Sequence, residues 1–295
     1  MRRWIRLSLF ALAALATLVV LAAAGVMLRA EYRLSQRLAV PERGVAVRTD
    51  AAARKRGRYL FASLGCGGCH GADGGGHVMW ESGANRLVAP HIAPGAGSVT
   101  AAYRPQDWDR AVRHGLRPDG RGLVAMPSID YSRLADDDLG ALVGHIVHLP
   151  AVDHDPGRHR LGTLLKAAIG LGRMPLAPDA IDHDLPPLPP VAATVSLERG
   201  RYVAQACVGC HGPQLRGGPI PGMPPGTPAA ADLLPGAGQV LQRYPDAAAL
   251  RTMFRSGRRP DGSRIAVMPF GSLSQLDDTD GAALHLYLSS LPPVR

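Results

Sequence analysis

The apolar positions of this chain form one long uninterrupted run and several short periodic segments. The run extends from Leu7 to Leu28 without a charged side chain. Two later segments, residues 139–149 and 284–291, carry apolar side chains at intervals of three and four, follow clustered aspartates and stop before a proline. This pattern is typical of amphipathic helices with acidic N-termini. The chain is therefore predicted to be mainly helical, with little indication of strands.

The apolar run has about the length that crosses the hydrocarbon layer of a membrane. It exceeds the apolar region of an ordinary signal peptide, so we predict that residues 1–40 form an uncleaved membrane anchor. Small residues at 22–24 keep a cleavable signal peptide open as the alternative. Flanking charge does not orient the run, because three arginines lie on each side: Arg2, Arg3 and Arg6 before it, and Arg29, Arg33 and Arg37 after it.

The rest of the chain contains one unit twice. Both copies have Arg-Gly-Arg-Tyr, at residues 56–59 and 199–202, then Cys-x-x-Cys-His, Arg-Pro-Asp-Gly and Met-Pro in the same order. A residue present in both copies is needed by the unit itself. We predict two domains, residues 50–152 and 194–295, joined by a proline-rich connector at residues 153–193.

Two further helices and one connector segment are predicted from local pattern. Residues 105–115 and 245–256 are interpreted as middle helices of the two units. A short apolar segment at residues 161–171 interrupts the connector. It can pack on a domain, touch the bilayer surface or meet a partner, and packing is the favoured interpretation.

Every cysteine lies in one of two pentapeptides. These are Cys66-Gly67-Gly68-Cys69-His70 and Cys207-Val208-Gly209-Cys210-His211. A zinc motif brings its second cysteine pair within about 15–20 residues, and neither zinc nor dithiol chemistry needs a histidine after both pairs. Cys-x-x-Cys-His is the c-type haem attachment pattern. Two covalently bound haem c groups are predicted, with His70 and His211 as iron ligands.

Met126 and Met268 are the candidates for the second axial ligand of each iron. Each begins a Met-Pro pair at a matching distance after its haem motif. A thioether opposite histidine suits low-spin haem iron and raises its reduction potential. The competing side chains have no counterpart in the other copy: Met79, Met223, His77 and His91.

The net charge of +9 does not indicate a nucleic-acid protein. Residues 1–40 hold six arginines against Glu31, so much of the excess belongs to the anchor. The other arginines are dispersed, without stacking aromatics. Arg113 and Arg255 occupy equivalent positions in the two copies, and we predict that they neutralise haem propionates.

The repeated motifs resemble class I cytochromes c, specifically membrane-anchored dihaem cytochromes c with two tandem domains. The resemblance implies an all-α fold of two such domains behind an N-terminal transmembrane helix. It implies thioether bonds at Cys66, Cys69, Cys207 and Cys210, and His–Met ligation by the residues already named. In this family a proline carbonyl holds the proximal imidazole. The first copy has Ala89-Pro90-His91-Ile92 there, and the second has Ala231-Asp232-Leu233.

The resemblance also implies electron transfer without catalysis. The expected donor is a periplasmic or membrane dehydrogenase or a quinol-oxidising complex, and the expected acceptor is a terminal oxidase or another cytochrome. A free carrier and a complex subunit both fit. The alternative is a dihaem redox enzyme, such as a peroxidase or a thiosulfate-oxidising cytochrome, which needs an exchangeable iron position. The expected location is the bacterial inner membrane, with a single anchor and the haem domains in the periplasm.

Overall fold

The computed structural model describes residues 2–293, which are mainly helical. The α-helices are α1 (Arg2–Ser35), α2 (Ala51–Ser63), α3 (Cys66–His70), α4 (Pro105–His114), α5 (Ser128–Tyr131), α6 (Asp136–Ile146), α7 (Thr163–Gly170), α8 (Leu197–Val203), α9 (Val208–His211), α10 (Ala247–Ser256), α11 (Phe270–Leu273) and α12 (Asp278–Ser290). Short 3₁₀ turns cover Ala177–Ala180, Ala204–Cys207 and Val240–Arg243. The predicted helical class is confirmed, and the helices predicted around residues 105, 139, 245 and 284 are present.

Helix α1 is the one helix in residues 2–293 that is long and apolar enough to cross a bilayer, by length and composition alone. Its C-terminal turns pack against α7 from the connector. Ala30 and Ile169 are fully buried there, and Gly170 lies so close to α1 that an added Cβ would be 2.2 Å from the carbonyl oxygen of Val26. Lys166 also pairs with Glu31. The apolar connector segment therefore packs within the chain, as the sequence pattern favoured, but against the C-terminal turns of α1 together with Val124 of the first unit rather than on a domain alone.

The first unit is built on a close crossing of α2 and α6. Gly57 makes the crossing possible, because an added Cβ would lie 2.1 Å from the carbonyl oxygen of Ala141. Leucine, valine and isoleucine side chains of α6 fill the core beneath α2: Leu139, Leu142, Val143 and Ile146 are at most 3% exposed. Three aspartates at the start of α6 lie near the positive end of its dipole.

The second unit repeats this crossing with α8 and α12. Gly200 is the counterpart of Gly57, and an added Cβ would lie 2.0 Å from the carbonyl oxygen of Ala283. Asp277 caps α12 by accepting a hydrogen bond from the backbone N–H of Asp280 at 2.8 Å. A separate apolar cluster is centred on Leu250, Phe254, Leu284 and Leu288.

The two units meet through a reciprocal pair of hydrogen bonds. Tyr59 of the first unit donates to Asp280 of the second at 2.6 Å, and Tyr202 of the second donates to Asp138 of the first at 2.7 Å. Each carboxylate also accepts two hydrogen bonds from an arginine of its own unit: Asp138 from Arg56 and Asp280 from Arg199. The repeated Arg-Gly-Arg-Tyr motif therefore joins the helix pair within each unit and the two units to one another.

One element of the first unit was not predicted. Strands β1 (His77–Ser82) and β2 (Asn85–Ala89) form an antiparallel hairpin. The connector covers this hairpin: Arg86 and Arg160 exchange backbone hydrogen bonds of 2.8 Å, and Gly162 donates to the side chain of Asn85 at 2.8 Å. The second unit has the proline-rich loop 219–228 in the corresponding stretch.

Candidate functional site

The two Cys-x-x-Cys-His motifs each form a single helical turn. Helix α3 contains the first motif, and the 3₁₀ turn Ala204–Cys207 leads into α9 for the second. All four cysteines are free thiols. Burial raises the pKa of Cys66 and of Cys207 to about 12, so both are protonated thiols at neutral pH.

Both motif histidines are held by a backbone carbonyl. The Nδ1 atom of His70 lies 2.8 Å from the carbonyl oxygen of Pro90, and the Nδ1 atom of His211 lies 2.8 Å from that of Ala231. Since a carbonyl only accepts hydrogen bonds, Nδ1 carries the proton and Nε2 keeps its lone pair for a metal. Burial lowers the pKa of both imidazoles, which favours this neutral form.

The contact in the second unit extends what the resemblance implied. Ala231 occupies the repeat position of Pro90, and its carbonyl makes the same hydrogen bond without the proline. A backbone acceptor is independent of side-chain identity, so this contact could have been found from repeat spacing alone.

Met126 and Met268 are held in the same local turn. The backbone N–H of Ser128 donates to the carbonyl of Met126 at 2.9 Å, and that of Phe270 donates to Met268 at 2.9 Å. The intervening prolines have ψ near +60°, an inverse γ-turn that leads directly into α5 or α11. Both methionines are half-buried against the apolar cluster of their own unit.

The competing side chains occupy different surroundings. Met79 and Met223 are 46% and 42% exposed. His77 is exposed on β1. His91 is fully buried, and its Nδ1 atom lies 3.0 Å from the carbonyl oxygen of His154 in the connector. None of the four shares the repeated setting of Met126 and Met268.

The predicted propionate role of Arg113 is wrong. Its guanidinium is 3% exposed and is fully engaged by protein acceptors: Asp109 at 2.7 Å, Asp136 at 2.7 Å and the carbonyl of Leu134. Arg113 therefore fixes α4 to the start of α6. Arg255 is 59% exposed and lies 3.8 Å from Asp278, so the two arginines are not equivalent in structure.

Each attachment turn also touches the opposite unit. The backbone N–H of Gly209, between the second pair of cysteines, donates to Asp130 of the first unit at 2.7 Å. Gly65, which begins α3 with φ of +80°, lies beside Ser272 of the second unit. The sequence did not predict these contacts, although Asp130 and Ser272 occupy equivalent repeat positions.

These residues fit covalent haem c. Two unoxidised thiols on one turn, an adjacent imidazole with its Nε2 lone pair free, and a half-buried thioether from the same unit form a complete set of attachment and ligand groups. The tautomer fixed by the carbonyl contacts is the one that an iron ligand requires. The set occurs once in each unit.

Comparisons with known proteins agree with this chemistry. Residues 52–146 match the family described as cytochrome c oxidase, cbb3-type, subunit III. The chain is 28% identical over 275 residues to a diheme cytochrome c-type of Cereibacter sphaeroides, covering 81% of this chain and 86% of the relative.

Residues 52–146 therefore form a cytochrome c domain, and the chain as a whole is similar to a diheme cytochrome c. Its cofactor is haem c and its general role is electron transfer. It resembles the membrane-anchored dihaem cytochromes c in motif order and in its N-terminal apolar helix.

Other relatives of the cytochrome are larger. It is 28% identical over 272 residues to the alcohol dehydrogenase (quinone) cytochrome c subunit of Gluconacetobacter polyoxogenes, covering 83% of this chain and 57% of the relative. It is 29% identical over 176 residues to the fructose dehydrogenase cytochrome subunit of Gluconobacter japonicus, covering 54% of this chain and 34% of the relative. The chain thus spans about a third to just over half of these two proteins.

Proposed function

We propose that this cytochrome is a membrane-anchored dihaem electron-transfer protein that serves a dehydrogenase or a quinol-oxidising complex. It passes electrons to a terminal oxidase or another cytochrome. Two relatives named as cytochrome subunits of dehydrogenases support the donor class. Helix α1 would hold the chain in the bacterial inner membrane, with both haem units in the periplasm.

The observation that carries this proposal is the duplicated histidine geometry. Both Nδ1 atoms lie 2.8 Å from a backbone carbonyl at the same repeat position. A chance Cys-x-x-Cys-His would have no reason to fix the same tautomer twice. Two haem groups per chain follow, with attachment at Cys66, Cys69, Cys207 and Cys210.

Each residue has a defined task in the proposed mechanism. Haem c supplies a one-electron iron centre when it is bound. His70 and His211, oriented by their carbonyl partners, would hold the iron through Nε2, and Met126 and Met268 would supply its thioether ligands. With both ligands supplied by the protein, the iron would have no site for a substrate, and the haem would exchange electrons with a docked protein by outer-sphere transfer.

Absorption spectroscopy of the purified full chain tests the proposal. We expect a pyridine haemochrome content of two haems per chain and, in the oxidised form, a near-infrared band of the sulfur–iron bond. Met126→Ala and Met268→Ala should each remove about half of that band, and Met79→Ala should leave it unchanged. One haem per chain, or rapid binding of carbon monoxide or peroxide by the unsubstituted protein, would favour a redox enzyme instead.

Membrane attachment is tested separately. The full chain should float with lipid vesicles in a density gradient, and carbonate washing should not release it. Release by carbonate, together with a mature N-terminus after residue 24, would show that the apolar run is a cleaved signal peptide.

A further inference from the structure

The sharpest difference between the two units lies in the loop that precedes the ligand methionine. This loop, called here the methionine loop, comprises residues 115–126 in the first unit and 257–268 in the second. Its backbone is the same in both. Leu123 donates to Gly115 at 2.7 Å and Ile265 donates to Gly257 at 3.0 Å, while Gly120 donates to Arg117 and Gly262 to Arg259 at 2.9 Å in each case. The two loops can therefore be compared position by position.

The methionine loop of the first unit is covered by other parts of the chain. Leu38, which follows α1, donates to the carbonyl of Gly120 at 3.0 Å, and Ala177 of the connector donates to that of Leu123 at 2.8 Å. Leu116 is fully buried, and Val124 packs in the cluster with Ala30 of α1. The anchor and the connector occupy this face.

The same face of the second unit is open. An added Cβ on Gly120 would lie 3.2 Å from the carbonyl oxygen of Leu38, whereas one on Gly262 would have no heavy atom within 4 Å. The side chains at two positions of the loop differ in the way that this difference in exposure requires. Arg258 stands where the first unit has buried Leu116, and Arg264 stands where it has Gly122, and both arginines are exposed.

These arginines give the exposed surface of the second methionine loop a net positive charge. Arg258 uses one nitrogen to donate to the backbone carbonyl of Gly262 at 2.7 Å. Among residues 2–293, neither Arg258 nor Arg264 forms an ion pair within 4.0 Å. Asp261 is the one acidic side chain in residues 257–268. Arg259 has an equivalent in the first unit, Arg117, so it belongs to the features that both units need.

We propose that the methionine loop of the second unit, through Arg258 and Arg264, is the docking surface for an acidic patch on a redox partner protein. The inference rests on the proposed electron-transfer function and assigns the partner contact to the second unit. A protein partner is favoured over anionic lipid because the segment following the anchor covers the other unit's loop, not this one. Opposite charges on two exposed surfaces accelerate encounter and depend on ionic strength.

Stopped-flow kinetics with the full chain in neutral phosphatidylcholine nanodiscs tests this assignment. The probe is an acidic haem protein, the reduced soluble domain of cytochrome b5. The rate constant of the unsubstituted protein should fall as salt is added. Arg258→Glu/Arg264→Glu should lower the low-salt rate constant at least about tenfold and remove the salt dependence. The matched control Arg201→Glu/Arg216→Glu, with two exposed arginines of the same unit, should change it less than about twofold.

Equal loss in the control, or an unchanged rate in the double variant, would overturn the assignment. So would a shifted haem potential in the double variant, because the arginines would then act on the haem rather than the partner. Loss of binding to phosphatidylglycerol vesicles with an unchanged rate would assign the surface to lipid and also overturn it. A chain without haem absorbance contradicts the proposed function, whereas a haem-loaded chain with a salt-independent rate contradicts only this inference.

Discussion

The two units share their helix crossing and the setting of their candidate ligand residues, and they differ in the parts of the chain that cover them. Both have the same glycine-mediated helix crossing, the same carbonyl contact to histidine and the same turn at methionine. They differ at the hairpin β1–β2, which only the first unit has among the described residues, and at the cover of the methionine loop. Features present in both copies are therefore those that the packing and ligand chemistry of each unit require. Features that differ between the copies depend on which other parts of the chain lie against each unit.

Even the shared features differ in their burial. The Arg199–Asp280 pair of the second unit has side chains 3% and 4% exposed, whereas the Arg56–Asp138 pair of the first has 25% and 14%. The same arginine–aspartate pair is therefore expected to contribute different amounts to the free energy of unfolding in the two units. Substitution at paired positions measures that difference directly.

The largest expected effect is at the helix crossings, where the units should respond alike. Gly57→Ala and Gly200→Ala each place a methyl group about 2 Å from a backbone carbonyl oxygen that cannot move aside. We expect each to destabilise its unit by about 4 kcal/mol, measured by denaturant unfolding followed by far-UV circular dichroism. Gly271→Ala is the control, since an added Cβ there meets no heavy atom within 4 Å. A loss below about 1 kcal/mol at either crossing would contradict the close packing.

The arginine–aspartate pairs should separate the units. Arg199→Met leaves the carboxylate of Asp280 buried without its cation and should cost about 3–4 kcal/mol. Arg56→Met exposes a partly solvated Asp138 and should cost about 1–2 kcal/mol. The exposed neighbour Arg201→Met should change the unfolding free energy by less than about 0.5 kcal/mol. Equal costs for the two pairs would show that their difference in burial has no energetic consequence.

Asp130 makes the contact between the two units depend on pH. The second unit has Ser272, which carries no carboxylate, at the equivalent position. Burial raises the pKa of Asp130 to about 7, against an ordinary value of 3.8, although the Gly209 N–H acts to lower it. The folded protein therefore binds a proton more tightly than the unfolded chain. The stabilisation contributed by Asp130 is greatest below about pH 4 and falls by about 3–4 kcal/mol as the pH rises to 7.

Unfolding free energies measured between pH 4 and 8 test the role of Asp130. Asp130→Asn should remove most of that fall, since the amide does not titrate. Ser272→Asn, at the reciprocal position of the second unit, is the control and should keep the unsubstituted profile. Identical slopes for the Asp130→Asn variant and the unsubstituted protein would assign the pH dependence to other groups.

The elements that sequence predicted correctly depend on local signals. The apolar spacing of residues 139–149 and the three aspartates before them predicted a helix, and the structure has it at Asp136–Ile146, starting at those aspartates. The cysteine and histidine positions on α3 and α9 likewise follow from spacing within five residues. Local periodicity and motif spacing suffice where the stabilising contacts are near in sequence.

The features that sequence missed depend on distant partners. The hairpin β1–β2 pairs with connector residues about 70 positions away, through contacts such as Val88 N–H to His159 at 3.2 Å. Arg113 on α4 reaches Asp136 at the start of α6, with helix α5 between them in the sequence, and no local pattern indicates this contact. The open and covered methionine loops differ because of residues 38 and 177, and those contacts exist only in the folded chain.

The smallest expected effect concerns the tyrosines that join the units. Tyr59→Phe removes one hydrogen bond from Asp280, which keeps both contacts to Arg199, and Tyr202→Phe removes one from Asp138, which keeps both to Arg56. Tyr59→Phe should cost about 1–1.5 kcal/mol, because the acceptor is charged but remains paired. Tyr202→Phe should cost about 2 kcal/mol, because the Tyr202 hydroxyl also accepts a hydrogen bond from the buried backbone N–H of Ala135 at 3.1 Å. Tyr287→Phe is the control, since its hydroxyl makes no hydrogen bond within residues 2–293.

The number of unfolding transitions in the tyrosine variants shows whether these hydrogen bonds couple the two units or stabilise each unit separately. If the hydrogen bonds couple the units, the double variant Tyr59→Phe/Tyr202→Phe should unfold in two separated transitions where the unsubstituted protein shows one. The gap should follow the difference in burial between the two arginine–aspartate pairs, with the first unit unfolding earlier. A single transition that shifts by the sum of the two costs would mean that the remaining contacts, such as Asp130 to Gly209, are enough to hold the units together.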